Sequence, residues 1–518
     1  MLEKARSWLV PLVYLSDNWI SLIGVVLVTT CTVFWLFLMP VMLSGGPGNP
    51  YLGILIFMLL PAAFFMSLFM IPLGIVLKRR RQAKSPKEIL KTPLTLDFRR
   101  VEVRRLAAFI LATTIVNILI ASQLTYGAVS YMETVQFCGQ TCHTVMKPEY
   151  TAYQNSPHSR VECVKCHIGP GASWFVRSKL SGVRQVFAVT FHTYSTPIPT
   201  PVRNLRPARD TCEACHWPGR FGGDRLKILP KFADDESNTA SKTVLLMHIG
   251  GGNGKGIHGV HVGPGITIQY ASDESRQRIP WVSYQSGSSA PVTYTAEGFK
   301  SENLKTLTTR VMGCMDCHNR PAHTFELPDR AVDGALATGA ISPALPQAKK
   351  EAIAILKANY SSGDDAERKI PAAFETFYKQ NYPAIYSQRT AEVERSAKAV
   401  LGVFNRNVFP EMKVTWGSYP NNLGHTDMMN PSNASFPGCF RCHDDLHAAT
   451  GGRKITQDCS ACHALLATEE KAPKVLTDLG LLTEAQPPAN DIKQNKRNPT
   501  HGNEAQRSAP RGPDVPVR

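Results

Sequence analysis

The stretch TVQFCGQTCHTVMKPEYTAYQNSPHSRVECVKCHIGPG, residues 134–171, contains two clusters of cysteine and histidine. The second cluster, CVKCH at residues 163–167, has the spacing of a c-type haem attachment site. In such a site both thiols bond to the haem vinyl groups, and the adjacent histidine binds the iron. The first cluster, CGQTCH at residues 138–143, has one extra residue between its cysteines. We interpret it as a variant of the same signature.

The signature recurs along the chain and accounts for nearly all of the cysteine. Of the 13 cysteines in 518 residues, only Cys31 lies outside a cluster, and its apolar surroundings predict a small buried side chain. Zinc sites would combine such pairs in fours and would not need a histidine after each pair; a disulfide framework is a poorer alternative. The predicted haem-attachment residues are Cys138, Cys142, Cys163, Cys166, Cys212, Cys215, Cys314, Cys317, Cys439, Cys442, Cys459 and Cys462, followed by His143, His167, His216, His318, His443 and His463.

Positive charge is concentrated in one short segment. The net charge is +16, and residues 78–105 hold eleven Lys or Arg against three Asp or Glu. Because this segment lies between apolar stretches, it follows the positive-inside pattern of membrane proteins. We therefore predict a lipid bilayer, and no nucleic acid, as a partner.

Three uncharged stretches predict a membrane anchor. Residues 18–77 contain no charged side chain and are divided by the turn cluster SGGPGNP at residues 44–50; residues 106–132 are also uncharged. Each stretch exceeds the roughly 20 residues that a spanning helix needs, and the first is too long for a cleaved signal peptide. The prediction is a multi-pass protein of the bacterial inner membrane with its haem domain in the periplasm, where covalent haem attachment normally occurs.

The predicted fold class is a membrane-anchored multihaem cytochrome c. Three transmembrane helices would precede a mostly α-helical or irregular, haem-packed periplasmic domain with a small β-rich insert. Short β-branched and aromatic runs predict strands within residues 243–297, and helical periodicity predicts helices at 346–360, 372–381 and 389–406. The predicted domains are a membrane anchor (1–132) with its basic loop (78–105), a three-haem domain (133–230), a second three-haem domain with the insert (231–484) and a disordered tail (485–518).

The sequence of residues 172–194 has the pattern of an amphipathic helix. Aromatic and aliphatic residues recur there at helical spacing with Arg177, Lys179 and Arg184 between them. The helix could lie on a membrane surface, or its apolar face could pack against the protein core.

Low-spin haem iron needs a second axial ligand, and the other histidines can supply it. The candidates are His158, His192, His248, His258, His261, His323, His425 and His447. Because eight further histidines are available for six motifs, we predict that most of the haems have two histidine ligands. Such haems carry electrons and have no open position for a substrate.

Residues 106–216 resemble the NapC/NirT family of membrane-anchored multihaem cytochromes c. The similarity rests on an apolar segment, a first cluster with a nearby methionine, SPHSRVECVKCH, a basic aromatic stretch and a third CxxCH. The family's first site usually reads CxxCHxM, with methionine as a possible ligand; here it reads CGQTCHTVM, so His143 and Met146 both stay open as ligands of the first iron. The longer pattern, with PGCFRCH and IPWV, is similar to inner-membrane cytochromes of metal-respiring bacteria.

The resemblance implies a quinol dehydrogenase and electron conduit. It would oxidise membrane quinol and pass electrons through six covalently bound haem c groups to periplasmic c-type cytochromes or reductases. Lys147 and Glu149, with Tyr150 and Tyr153, follow the first cluster and are candidates for the quinol site, where a partly buried carboxylate could accept a proton. The alternative is a terminal reductase with one substrate-accessible haem. A redox sensor would need a signalling domain, which the sequence does not indicate.

Overall fold

The computed structural model describes residues 18–43, 58–82, 125–141, 143–202, 206–217, 222–251, 255–425 and 438–481, with isolated positions between 99 and 123. The chain divides into two compact units, Met1–Lys471 and Ala472–Arg518. The finer division into four domains stays a prediction, and the tail at residues 485–518 lies outside the described residues.

The helices are mostly short. They are α1 (Trp19–Leu43), α2 (Leu60–Gln82), α3 (His143–Gln154), α4 (Cys163–His167), α5 (Ala172–Thr190), α6 (Ala208–Cys212), α7 (Gly256–Val262), α8 (Cys314–Cys317), α9 (Pro328–Ala337), α10 (Ala348–Leu356), α11 (Gly363–Asn381), α12 (Pro383–Gln388), α13 (Thr390–Asn407) and α14 (Lys474–Asp478). The strands are β1 (Arg225–Phe232), β2 (Ala240–Met247), β3 (Ile266–Ser272), β4 (Trp281–Ser286), β5 (Val292–Thr295), β6 (Thr308–Val311), β7 (Ala448–Ala449) and β8 (His463–Glu470).

The prediction of three transmembrane helices is wrong. Within the described residues, no helix combines the length and the apolar character that crossing a membrane requires. An uncharged stretch is not the same as an apolar helix: α2 begins only at Leu60, includes Pro72 and ends in the cations of KRRR. In α1, Ser21 is fully buried and its hydroxyl donates to the Ile71 carbonyl of α2 at 2.9 Å. Most of residues 106–132 lies outside the described part of the chain.

The β-rich insert is confirmed and extends further than predicted. It supplies two antiparallel sheets with strand orders β1-β2-β8 and β6-β3-β4-β5-β7. In β3, Ile268 and Tyr270 are buried while Thr267 and Gln269 are exposed, the alternation expected of a strand with one covered face. In the first sheet Met247 of β2 pairs with His463 of β8, so this sheet places the last motif histidine.

A helical core confirms the three helices predicted near residues 346–406. In α11, Ile370, Phe374 and Tyr378 are fully buried at helical spacing and contribute to one apolar cluster with residues of α9, α10 and α13. α11 begins nine residues earlier than predicted, at Gly363, because the Ser362 hydroxyl caps it by accepting from the Asp365 amide at 3.1 Å.

Candidate haem sites

Each of five motif histidines faces one histidine from elsewhere in the chain. The pairs, with the distance between ring centroids, are His158–His216 at 5.9 Å, His167–His323 at 6.2 Å, His258–His318 at 6.2 Å, His261–His443 at 5.8 Å and His425–His463 at 6.3 Å. The partners lie up to 182 residues apart in sequence, as in His261 and His443. The fold therefore brings together five motif histidines and five of the predicted distal candidates.

The spacing within these pairs fits a metal ion between two imidazoles. A bond of about 2.0 Å from metal to imidazole nitrogen, with that nitrogen about 1.1 Å from the ring centre, places the two centroids about 6.2 Å apart. Ring stacking without a metal would allow shorter distances, as His425 and Phe440 show at 4.6 Å. The residues present thus fit haem iron, which each pair of imidazoles would hold between them.

Several of these imidazoles are oriented through Nδ1. The Nδ1 atoms of His261, His323 and His443 lie 2.7, 2.9 and 2.8 Å from the carbonyl oxygens of Ile257, Glu149 and Thr456. A hydrogen on Nδ1 can donate to each carbonyl, which leaves the Nε2 lone pair for a metal. This arrangement of a ligand histidine with a second hydrogen-bonding partner is usual at metal sites.

Burial favours the neutral form of several of these histidines. It lowers the pKa of His167, His258, His261, His318 and His463 below the ordinary histidine value. Neutral imidazole is the form that binds a metal. The environment of these rings therefore favours coordination over a positive charge.

Neighbouring motifs in sequence are also neighbours in space. Cys138 lies close enough to Cys163 to lower the pKa of its free thiol to about 7, and Cys212 does the same to Cys314. Cys215 also lies close enough to Cys166 to add to the rise in its pKa that burial causes. Cys439 does the same to Cys317 and to Cys462. The six motifs thus follow one another in space in their order along the chain.

Gly139 allows the first motif to lie against α3. The motif begins on a short π-helix, Phe137–Thr141, and a Cβ at Gly139 would lie 2.0 Å from the ring of Tyr150. The Gln140 amide donates to the Tyr150 hydroxyl at 3.1 Å and closes this contact. Met146 lies half-buried on α3, whereas Cys142 and the side chain of His143 are outside the described residues. The choice between His143 and Met146 stays a prediction.

Residues 100–208 match the model of the NapC/NirT cytochrome c family, N-terminal region. The chain is also 38% identical over 456 residues to the cytochrome c-type protein ImcH of Geobacter sulfurreducens. The matched region covers 87% of this chain and 88% of that protein. The chain belongs to the NapC/NirT cytochrome c family. No solved structure matches it.

Membership makes the chain an electron-transfer cytochrome with covalently bound haem c. Haem iron, when bound, supplies one-electron oxidation and reduction. What the chain itself contributes is the position, orientation and surroundings of the ligands, and these are set by a few buried contacts.

Glu149 of this cytochrome holds His323, one of the predicted distal ligands. Its carboxylate oxygens accept from Arg320 Nη2 at 2.9 and 3.1 Å, and its backbone carbonyl and Oε2 lie 2.9 and 3.2 Å from His323 Nδ1. Arg320 is buried, and its guanidinium lies 4.3 Å from the centre of the Tyr419 ring. The Arg320 Nε also donates to the His323 carbonyl at 2.6 Å. Sequence reasoning missed Arg320, although it stands two residues after the fourth motif.

The other residues predicted for the quinol site differ in their surroundings. Lys147 is exposed on α3, near Glu411 of the 3₁₀-helix Pro410–Met412. Tyr153 is buried, and its hydroxyl hydrogen-bonds to the carbonyls of Ser159 and Val161 at 2.7 and 3.0 Å. Tyr153 therefore supports the loop before the second motif.

Three predicted distal ligands have other partners. Both ring nitrogens of buried His447 are occupied, Nδ1 by Asp444 at 2.9 Å and Nε2 by the Ile279 carbonyl at 2.7 Å. His248 Nδ1 lies 3.1 Å from an Asp224 carboxylate oxygen. His192 is exposed, with its ring 6.3 Å from that of Tyr194.

The fourth and fifth motifs are joined by their internal residues. Arg441, inside CFRCH, donates through Nη2 to the carbonyl of Asp316, inside CMDCH, and through Nη1 to the Arg276 carbonyl at 2.7 Å. The Asp316 carboxylate in turn accepts from the Tyr270 hydroxyl and from the amide of Gly313 at 2.7 Å. The positions between the cysteines therefore fix one motif against the next, which motif spacing alone does not indicate.

Proposed function

We propose that this cytochrome oxidises membrane quinol and passes the electrons through six c-type haems to soluble redox partners. The observation that carries the proposal is the set of five histidine pairs, which would give the irons of motifs two to six two protein ligands each. Membership of the NapC/NirT family suggests a membrane-anchored cytochrome. We place the haem-bearing part on the outer side of the bacterial cytoplasmic membrane, with periplasmic cytochromes or reductases as acceptors.

The proposed ligands are the motif histidines with His158, His258, His261, His323 and His425. In this set the chain leaves no exchangeable ligand position at motifs two to six, which argues against a terminal reductase at those sites. His192, His248 and His447 have no place in the set. We keep the quinol site beside the first motif, where exposed Lys147 is the candidate polar group, and we assign Glu149 to holding His323.

The proposal is tested by quinol oxidation with the purified holoprotein. A reduced menaquinone analogue is supplied with a soluble cytochrome c as acceptor, and acceptor reduction is followed by absorbance. We expect catalytic turnover, with all irons of motifs two to six low-spin in the ferric protein. No turnover with any quinol, or rapid reduction of nitrite or hydroxylamine instead, would contradict the conduit.

A second prediction concerns haem number. Intact-mass measurement under denaturing conditions should show six covalent haems, one for each motif. A Cys138→Ala/Cys142→Ala variant should show five, because it removes both thioether bonds of the first site. Five haems in the unmodified protein would mean that the CxxxCH motif is not used and would remove the proposed site of quinol oxidation. A Cys31→Ala variant is the control, since that cysteine is outside every motif.

A further inference from the structure

α5 presents an apolar stripe to the outside of the protein. Five large apolar side chains at helical spacing are all well exposed: Val176 at 54%, Leu180 at 68%, Val183 at 45%, Phe187 at 59% and Phe191, just after the helix, at 67%. This helix is described in full, and none of its residues is buried. A surface helix normally turns its polar residues outward and its apolar residues toward the core. On α5 the five apolar side chains of the stripe face outward together with Arg177 and Arg184, so core packing does not explain the stripe.

The stripe is held outward by contacts on the other side of α5. Val189, on that side, packs partly buried against the cluster that contains Val145 of α3 and Phe409. The rings of Phe187 and Phe191 stack at 6.2 Å and remain exposed together. The helix is thus fixed next to the first motif with its apolar stripe facing away from the protein.

The chemistry around the stripe identifies its partner. α5 contains no Asp or Glu and has three cations, Arg177, Lys179 and Arg184. The nearby cations Lys165, Arg206 and Arg209 are instead paired with acidic side chains. On α5, Lys179 Nζ lies 4.7 Å from the Phe175 ring centre and Arg177 lies 5.1 Å from that of Trp174. Phenylalanine, leucine and valine on one face, cations beside them and a tryptophan near one end are features of helices that lie in a membrane interface. A surface for a protein partner commonly has charges of both signs around its apolar centre, whereas α5 itself has only cations.

We propose that α5 lies in the surface of a bilayer that contains anionic lipid. Its apolar stripe would enter the boundary between headgroups and acyl chains, and its cations would contact lipid phosphates. This inference does not depend on quinol oxidation. It also does not require any helix to cross the membrane, because an interfacial helix lies in the membrane plane.

The test reads position 180 itself, since other apolar helices could also hold the chain to vesicles. Holoprotein carrying Leu180→Cys is reconstituted into vesicles of phosphatidylcholine with a minor fraction of phosphatidylglycerol. The rate of reaction with an impermeant maleimide is measured by mass spectrometry. Glu302→Cys, an exposed site on the 3₁₀-helix Ser301–Thr306, is the control for accessibility, and Gln185→Cys is the control on α5 itself. An unchanged haem absorption spectrum establishes that each variant is folded.

We expect Leu180→Cys to react at least about tenfold more slowly than Glu302→Cys, because burying one leucine-sized side chain is worth that factor or more. Protection should weaken in vesicles of phosphatidylcholine alone and in the Arg177→Glu/Lys179→Glu/Arg184→Glu variant. Gln185→Cys should remain reactive. Equal rates at positions 180 and 302 would overturn the proposal. A cross-link between two copies through position 180 would overturn it in favour of a second copy as the occupant.

Discussion

Replacing His323 with alanine should convert the iron of the second motif from low-spin to high-spin. The ring of His323 lies 6.2 Å from that of His167, the spacing of two ligands on one iron, and alanine removes one of them. The loss of an electron-donating ligand should also raise the potential of that haem. For each rise of about 59 mV in the reduction potential, the equilibrium shifts tenfold toward the reduced haem. We expect transfer from quinol to a soluble acceptor to fall by at least about tenfold, since axial ligation is a principal control of haem potential.

His447→Ala is the matched control. Both histidines were equal candidates by sequence, yet His447 has both ring nitrogens occupied by Asp444 and the Ile279 carbonyl. Its loss should cost about 1–3 kcal/mol of unfolding free energy, because buried partners are left without hydrogen bonds. No high-spin signal should appear. Electron paramagnetic resonance of the ferric proteins measures both variants, and a high-spin signal from His447→Ala alone would reverse the assignment.

The parts of the site that could be predicted from sequence are those that depend on local spacing. CxxCH is read within five residues, so the attachment cysteines and motif histidines need no fold. The pairing of His167 with His323 depends on how α3 packs against the loop after α8. Counting histidines could propose candidates for the distal positions, but it could not separate His323 from His447.

The secondary structure also divides into elements that local sequence predicts and elements that depend on the rest of the fold. Short runs rich in β-branched and aromatic residues predicted β2 to β5, because each of those runs is bounded by turns. β8 was missed because it begins at His463, a motif residue, and owes its place to pairing with β2. The transmembrane prediction is wrong, since within the described residues no helix is both long and apolar enough to cross a membrane. For the helix at residues 172–194, periodicity predicted the helix but not which face would be covered.

Arg320 and Glu149 should behave as one buried unit in the stability of the cytochrome. Arg320→Ala leaves the Glu149 carboxylate, whose side chain is only 19% exposed, without its cation. Breaking such a pair costs about 3–5 kcal/mol of unfolding free energy. An exposed pair is worth less than about 1 kcal/mol, so Lys231→Ala, which breaks the half-exposed contact with Glu469 at 2.6 Å, is the control. Chemical denaturation of the holoproteins measures both.

A double-mutant cycle separates this role from proton transfer. Glu149→Gln and Arg320→Met should each be destabilising, and the combined variant should lose less than the sum by about 0.5–3 kcal/mol, as expected for residues in contact. Both single variants should disturb the second-motif spectrum, because both hold His323. A general base would behave differently. Glu149→Gln would slow quinol oxidation by about 10²-fold or more, whereas Arg320→Met would slow quinol oxidation less. Additive stabilities combined with that selective loss of activity would show that Glu149 accepts a proton. Coupled stabilities with parallel losses of activity in the two variants would show that it acts through His323.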